Sequence, residues 1–442
     1  MPDVRRPRIL VAAHAFPETG GARIDMFVKL LPRMGFDPVV LASAEHAGVE
    51  ARRMRERVYP AELEVHWARA LAATPFTPRY LVRDADSRFY HLLRLLSAPE
   101  RFVFVPDYQV RWIPAGIRVA RALARAGRID CVLTSSPPES THLIGYYLRR
   151  VWGVRWVADF RDLWTEKGLL FRPPTRLHAA LIRRLERAIF TGADHVIANT
   201  PENRQRHLGR FGLSPDRVTV IPNGFDRDDL DGTPPAPPRD GIYRIGYMGH
   251  FDKHGFPWRV FLVALERLVA DVGRGGVRLI HCGFQSAEVR RFVAARSLEE
   301  VVDWRGSMSH QGALQSMAGT DLLLSLLYEN DYSESIVNAK LYPYLMLGRP
   351  ILAVGPERGA MARIVNETRT GTVVSAAGGP DAVLAALRRH YQAWRTGIPP
   401  FEPAVRHIAR YDFVKHAEAL ASIVRGLVGV DASRLSARRG AA

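Results

Sequence analysis

The sequence predicts an α/β protein made of two Rossmann-like domains, each a doubly wound parallel sheet, that face each other across a cleft. Three observations support this fold class. Apolar strand-like runs alternate with amphipathic helical stretches along most of the 442 residues. The alternation stops at one segment rich in Pro, Gly and Asp, PNGFDRDDLDGTPPAPPRD at residues 222–240. A second series of the same kind then follows it.

The first series defines an N-terminal domain over residues 1–221. Its strand-like runs are six in number, at residues 8–13, 38–42, 130–134, 154–158, 195–199 and 218–221. One helix start is well specified, because Thr200 stands at the N-cap position, Pro201 at the first helical position and Glu202 in the first turn.

The second series follows a linker at residues 222–242 and defines a C-terminal domain over residues 243–400. Its strand-like runs are at residues 243–248, 277–282, 301–304, 322–326, 350–354 and 371–374. Apolar residues at helical spacing in residues 401–427 predict one or two closing helices, and we expect the tail at 428–442 to be disordered.

Composition excludes several classes of protein. With 47% hydrophobic and 24% charged residues, the chain is typical of soluble globular proteins rather than disordered or fibrous ones. No apolar run reaches the roughly 18 residues of a membrane span, and the run at 9–13 is too short for a signal peptide, so we expect a cytoplasmic protein. Cys131 and Cys282 lie in separate apolar runs, which predicts buried, inert thiols.

Positive charge is concentrated in the first half of the chain. The net charge is +17, and residues 1–217 hold 35 Lys and Arg against 22 Asp and Glu. Four arginines recur at helical spacing: Arg118, Arg121, Arg125 and Arg128. This stripe fits a solvated helix face and an anionic membrane surface about equally well. Nucleic acid is not an expected partner, because no zinc-finger, RRM or KH pattern accompanies the charge.

Two segments have the pattern of an anion-binding strand-to-helix turn. Gly20 and Gly21 follow the first strand-like run and precede a helix that contains Arg23, although a simple tight turn would look the same. In residues 321–354 an apolar strand, a polar loop, a short helix and a second strand follow in order. With Asn338 as the helix cap, Lys340 lies in the first turn, where a cation is unfavourable unless it meets an anion.

Residues 195–226 and 321–354 closely resemble segments of family 4 glycosyltransferases, and a looser resemblance runs from about residue 8 to residue 425. The resemblance implies the two-domain GT-B fold. It also implies transfer of a sugar from a nucleotide diphosphate with retention of anomeric configuration and without a metal ion. No HExxH, GxSxG, Walker A or metal-spaced Cys and His pattern occurs in the sequence, so we expect no metal and no cofactor besides the nucleotide-sugar co-substrate.

The resemblance also implies positions for the donor. The residues it assigns to donor binding are Gly249, His250, Lys253, Ser307, Met308, Ser335, Asn338, Lys340 and Tyr342. The family has a Glu, seven residues and a second Glu here, and the corresponding positions are Ser335 and Pro343. Glu334, one residue away, is the expected catalytic contact to the donor sugar, and Tyr342 the expected contact to the ribose.

A second matching pattern covers residues 135–148 and 154–164. It places His142, Asp159, Arg161 and Asp162 near the carboxyl ends of strands. With Gly20, Gly21 and Arg23, the residues His142 and Arg161 are the expected acceptor contacts, and Asp162 is a candidate catalytic residue. The competing interpretations are a structural ion-pair cluster around Asp159 and a packed histidine at position 142.

Together these observations predict a glycosyltransferase that acts on a glycan or a lipid-linked acceptor. We expect a cytoplasmic enzyme, peripheral on the inner face of the plasma membrane if the basic half binds anionic lipid. Two alternatives stay open. One is a sugar-nucleotide epimerase or hydrolase of the same fold. The other is a non-catalytic protein that binds glycans or membranes, suggested by the absence of both motif glutamates.

Overall fold

The computed structural model describes residues 5–17, 23–47, 59, 62–71, 100–166, 171–230, 236–253, 255–330, 332–399 and 401–429. The described residues form two compact units. The first unit holds the residues up to Ile221 together with those from His416 onward, and the second unit holds Pro222–Lys415.

The first unit contains a seven-stranded parallel sheet of order β3-β2-β1-β4-β5-β6-β7. Its strands are β1 (Arg8–Ala12), β2 (Asp37–Ser43), β3 (Glu64–Ala68), β4 (Cys131–Ser136), β5 (Arg155–Phe160), β6 (His195–Ala198) and β7 (Val218–Val220). The six predicted strands of this half are all present. The seventh, β3, was missed because it is an edge strand whose residues are mostly half-buried, so it lacks a continuous apolar run.

The second unit contains a six-stranded parallel sheet of order β10-β9-β8-β11-β12-β13. Its strands are β8 (Tyr243–Met248), β9 (Val277–Cys282), β10 (Val302–Gly306), β11 (Leu322–Leu326), β12 (Ile351–Val354) and β13 (Gly371–Val374). All six predicted strands are present here, four of them with the predicted bounds. The register pairs Met248 of β8 with Cys282 of β9, so both strands end at the same level.

Helices connect the strands and cover the sheets. Those of the first half are α1 (Arg23–Leu30), α2 (Glu100–Val103), α3 (Ile113–Arg125), α4 (His142–Trp152), α5 (Arg176–Gly192) and α6 (Pro201–Phe211). Those that follow are α7 (Trp258–Val272), α8 (Ala287–Ala294), α9 (His310–Ala318), α10 (Leu341–Leu347), α11 (Ala360–Thr368), α12 (Gly379–Thr396), α13 (Val405–Ile408) and α14 (Phe413–Val428). The predicted start of α6 is correct, since the Thr200 hydroxyl accepts a hydrogen bond from the Asn203 N–H at 3.1 Å.

Each unit has its own apolar core between sheet and helices. In the first unit α4 packs closely on β5 through Gly145, where a Cβ would lie only 2.1 Å from Nε1 of Trp156. Both cysteines are buried free thiols, as predicted, and burial raises the pKa of Cys131. Among the described residues, no helix has the length and apolar character that a bilayer span requires.

Candidate active site

The carboxyl ends of the second sheet's strands lie along one edge, because all six strands are parallel. The donor-binding residues predicted from sequence follow three of these strands. Gly249, His250 and Lys253 follow β8, while Ser307 and Met308 follow β10. The remaining predicted residues follow β11, in the loop 327–340 or in α10.

Two glycines bring the backbones of adjacent turns into contact at this edge. Gly249 has a φ of 98° and donates its N–H to the Cys282 carbonyl at 2.8 Å. Gly283 has a φ of 148°, and a Cβ there would lie 2.3 Å from the Gly249 carbonyl oxygen. Side chains are excluded from both positions, so the edge is left open at the end of β8.

Lys340 places its ammonium group beside this open turn. Its Nζ lies 3.5 Å from the centroid of the Tyr247 ring, and a Cβ on Gly249 would be 3.5 Å from the same Nζ. The tyrosine is fixed in turn, since its hydroxyl donates a hydrogen bond to the His250 carbonyl at 2.7 Å. The structure therefore brings Gly249 and Lys340 together, as the predicted phosphate site requires.

The charge on Lys340 is poorly compensated. The pKa of its ammonium is lowered well below the usual value, mainly by burial and further by the nearby charge of Lys253. The residue as a whole keeps partial exposure, so the side-chain tip is the enclosed part. Within the described residues neither lysine has an ion-pair partner, whereas an anion bound between them would satisfy both.

His281 contacts the turn that follows β8, and the sequence did not predict this role. Its Nε2 donates to the Gly249 carbonyl at 3.0 Å, and its ring stacks on Tyr247 with centroids 5.8 Å apart. Burial lowers the pKa of His281 to about 4, so the ring is neutral and its Nε2 carries the proton. A sequence signal existed: a glycine directly follows each of β8 and β9, in YMGH and HCGF.

The loop after β11 is fastened to the sheet by polar side chains. Asn338 donates Nδ2 to the Leu326 carbonyl at 2.6 Å, and buried Ser335 donates its hydroxyl to the Tyr332 carbonyl at 2.9 Å. Glu334 between them is exposed, and a Cβ on Gly359 would lie 2.2 Å from its carbonyl oxygen. Asn338 and Ser335 thus shape the loop, while the carboxylate of Glu334 faces solvent.

The helix after this loop begins later than predicted. Lys340 itself is the N-cap residue of α10, and Pro343 lies inside the first turn, where its missing N–H costs no helical bond. Asn338 is therefore a loop anchor rather than a cap. Tyr342 is fully buried with its ring 5.6 Å from that of Tyr411, so its side chain does not face a ligand.

The other predicted donor residues are accessible. His250 is exposed, with its ring 4.5 Å from that of Phe284. Ser307 and Met308 are exposed in the turn before α9, at the end of the edge strand β10. Donor contacts by His250, Ser307 and Met308 therefore stay predictions.

In the first unit, the predicted acceptor residue Arg23 lies in a buried ion pair. Its Nη2 is 2.9 Å and its Nε 3.0 Å from the two carboxylate oxygens of Asp159. Ser135 donates its hydroxyl to the same carboxylate at 2.8 Å. Arg23 and Asp159 are both less than 3% exposed. This cluster is therefore the structural ion pair that the sequence analysis gave as the alternative to an acceptor site.

His142 is a packed histidine. It is fully buried, its Nδ1 lies 2.8 Å from the Thr134 hydroxyl, and its ring is 4.2 Å from that of Phe160. Burial lowers its pKa to about 3. The Thr134 oxygen also accepts a hydrogen bond from the indole N–H of Trp156 at 2.8 Å. The side chain is enclosed and not presented to an acceptor.

Arg161 and Asp162 follow β5 and are half-buried. Arg161 donates Nε to the Ser136 carbonyl at 2.9 Å, which fixes the turn after β4. In the part of the chain that the structure describes, Asp162 has no hydrogen-bonding or ion-pair partner. Gly20 and Gly21 lie outside the described residues.

A cluster at the ends of β1 and β2 was not predicted. His14 is buried, its Nδ1 is 3.3 Å from Nε2 of His46, and its Nε2 is 3.7 Å from the Glu45 carboxylate. Buried Arg111 contacts the same carboxylate at 3.4 Å. Burial and His46 lower the pKa of His14 to about 4. The cluster has no sequence signal, because its members come from distant segments.

Among the described residues, no group of three or more His, Cys, Asp or Glu could hold a metal ion.

Comparison with known proteins supports the resemblance seen in the sequence. Residues 21–229 match the family described as Glycosyltransferase Family 4. This match supports a glycosyltransferase of the family 4 type. The chain is 24% identical over 256 residues to the D-inositol 3-phosphate glycosyltransferase of Nocardia farcinica, in an alignment covering 53% of each protein. It therefore spans about half the length of the curated relative it matches.

Solved structures resemble this chain over almost its whole length. The sucrose-phosphate synthase of Thermosynechococcus elongatus superposes with a TM-score of 0.65 at 14% identity, covering 96% of this chain and 100% of that one. The Anabaena HepE protein in complex with UDP and glucose gives 0.56 at 14% identity, covering 97% and 99%. At such identities the likeness shows the fold, and it confirms the predicted GT-B class.

Proposed function

We propose that this protein is a glycosyltransferase that moves a sugar from a nucleotide diphosphate to a glycan or lipid-linked acceptor. The observation that carries the proposal is the cationic turn of Gly249, Lys253 and Lys340. It combines an open backbone turn with two ammonium groups that have no carboxylate partner among the described residues. A diphosphate supplies the missing charge.

The same lysines account for catalysis. When the sugar leaves, negative charge develops on the diphosphate, and fixed cations at that point stabilise the transition state. Lys340 is restrained by the Tyr247 ring at 3.5 Å, so little reorganisation accompanies the reaction. We propose that the two lysines balance the leaving-group charge without a metal ion.

Glu334 and Asp162 are the proposed catalytic carboxylates. Glu334 is exposed in the loop after β11, and its carboxylate has no partner among the described residues, so it is available to the donor sugar. Asp162 lies at the carboxyl edge of the first sheet, equally unpaired, and is assigned to the acceptor. The resemblance to family 4 glycosyltransferases supports transfer with retention of anomeric configuration.

Calorimetric titration with UDP, GDP and dTDP tests the proposal, in the wild type and in Lys340→Met. We expect one nucleotide to bind to the wild type and to bind at least tenfold more weakly to the variant. Absence of binding by all three would defeat the proposal and favour a non-catalytic protein. Sugar release from the donor without an acceptor, at the rate measured with one, would favour a hydrolase.

A further inference from the structure

The first unit exposes four large apolar side chains on two neighbouring helices. The exposed fractions are 55% for Phe102, 71% for Val103, 76% for Leu177 and 50% for Leu181. The helices touch, since Nε2 of His178 lies 3.1 Å from the Phe102 carbonyl and the two rings meet edge to face at 5.9 Å. We name Phe102, Val103, Leu177 and Leu181 the apolar patch.

Leu177 and Leu181 of the apolar patch are not part of the buried face of α5. The buried face of this helix consists of other residues, Ala179, Ile182, Glu186, Ile189 and Phe190. The helix start is fixed by Thr175, whose hydroxyl accepts a hydrogen bond from the His178 N–H at 3.3 Å. Leu177 and Leu181 lie one turn apart and therefore project from one face of a preformed helix.

Positive charge surrounds the apolar patch on α5. Arg176, Arg183, Arg184 and Arg187 are exposed. Among the described residues the first three have no ion-pair partner. Arg184 lies seven residues after Leu177 and so extends the same face.

No exposed carboxylate offsets these arginines on α5. The helix has one acidic residue, Glu186, which is buried. Its carboxylate accepts hydrogen bonds from the Thr165 hydroxyl at 2.6 Å and from Nη2 of Arg210 at 2.7 Å. The exposed surface of α5 is therefore apolar at Leu177 and Leu181 in its N-terminal half. The charged residues exposed beside them are all arginines.

We propose that the apolar patch and the arginines of α5 dock the protein on an anionic lipid bilayer. Apolar tips on a rigid helix with a cationic flank fit the interfacial zone, where side chains insert by several Å and arginines contact lipid phosphates. The basic charge of residues 1–217 adds long-range attraction. An acidic protein partner is the competing occupant, and the experiment below separates the two.

The stripe at Arg118, Arg121 and Arg125 is less suited to this role. These arginines are exposed on α3, but α3 exposes no large apolar side chain. The stripe attracts anions without inserting into the bilayer, so its contribution is screened by salt.

The docking surface belongs to the same unit as the predicted acceptor residues. Helix α5 is the next described helix after β5, so it starts from the carboxyl edge of the first sheet, where Arg161 and Asp162 follow the strand. A lipid-linked acceptor in the bound bilayer would thus be presented at this edge. The inference uses the surface of the first unit alone, so its failure would leave nucleotide binding by the second unit untouched.

Sedimentation with vesicles tests the inference on the full chain. Neutral vesicles are pure phosphatidylcholine. Anionic vesicles are phosphatidylcholine with about 30% phosphatidylglycerol, which carries a negative charge. We expect the wild type to sediment with the anionic vesicles and to be released only partly by 0.5 M salt, about the level at which surface charge is screened. The double variant L177S/L181S should lower the partition coefficient at least about tenfold.

Two matched variants make the result specific. Ile398→Ser with Val405→Ser removes two exposed apolar residues of the second unit and should bind vesicles as the wild type does. R118A/R121A should weaken binding less than R183A/R184A. Wild-type binding no stronger to anionic than to neutral vesicles overturns the proposal. So does unchanged binding by L177S/L181S, provided its thermal unfolding and nucleotide affinity match the wild type.

Discussion

At the scale of single residues, the folded protein disfavours the charged form of Lys340. Burial and the charge of Lys253 lower the pKa of Lys340 well below 10.5. Folding with a protonated Lys340 therefore has a free-energy cost. Between the lowered pKa and 10.5 the unfolded chain binds a proton that the folded chain does not, so stability rises with pH there. Such a cost is typical of a site that is completed by its ligand.

Lys340→Met should therefore separate binding from stability. Removing the charge is expected to weaken binding of the nucleotide diphosphate about 10- to 100-fold, and to leave the free energy of unfolding unchanged or higher. Calorimetry and urea unfolding at pH 7 measure the two quantities. Lys253→Met, an exposed neighbour, is the control and should weaken binding less. A strongly destabilised Lys340→Met with intact binding would contradict the assignment.

The second prediction at this scale concerns His142. Its pKa is about 3 in the folded protein and about 6.5 in the unfolded chain, so its contribution to stability is complete above 6.5 and is lost as pH falls towards 3. Within this window the slope is about 1.4 kcal/mol per pH unit. Urea unfolding at pH 7, 6 and 5 should show a shallower pH dependence for His142→Asn. An identical pH dependence would show that His142 is accessible to protons in the folded state.

At the scale of elements, the turns after β8 and β9 depend on glycine. Gly283 has a φ of 148° and no room for a Cβ, which would lie 2.3 Å from the Gly249 carbonyl. The close approach holds Gly249 beside Lys340. The cationic turn is thus a product of strand register, because pairing Met248 with Cys282 is what places the two glycines opposite each other.

Gly283→Ala is expected to disturb this turn. Backbone strain and the overlap together should destabilise the protein by about 2–4 kcal/mol and weaken nucleotide binding at least tenfold. Thermal unfolding and calorimetry measure both effects. Gly275→Ala, where nothing lies within 4 Å of the added Cβ, is the control and should resemble the wild type. Normal binding by Gly283→Ala would exclude the turn from the nucleotide site.

At the scale of the whole molecule, two units with separate cores hold different polar clusters. The buried pair of Arg23 and Asp159 belongs to the first unit, and the cationic turn belongs to the second. A ligand that binds the folded form stabilises the unit it contacts, by about 2.7 kcal/mol at a hundred times its dissociation constant. Breaking a buried ion pair by removing one partner costs about 3–5 kcal/mol.

Asp159→Asn should therefore destabilise the first unit without changing nucleotide affinity. Hydrogen exchange followed by mass spectrometry should show faster exchange in residues 23–30 and 131–160, and nucleotide protection at residues 249–255 and 327–340 in both proteins. Calorimetry checks the affinity. Loss of nucleotide binding in Asp159→Asn would show that the pair supports the donor site.

The sequence by itself determined the alternation of strands and helices and the two halves, because strand and helix periodicity and helix caps are local properties. Twelve strands and the start of α6 were predicted for this reason, whereas the half-buried edge strand β3 was not. Only the tertiary structure decided what each polar residue does. Arg23 and His142 looked like acceptor residues but are enclosed, and His281 and Gly283 became part of the site through strand pairing. Burial and register depend on segments far apart in the chain, and no local pattern contains them.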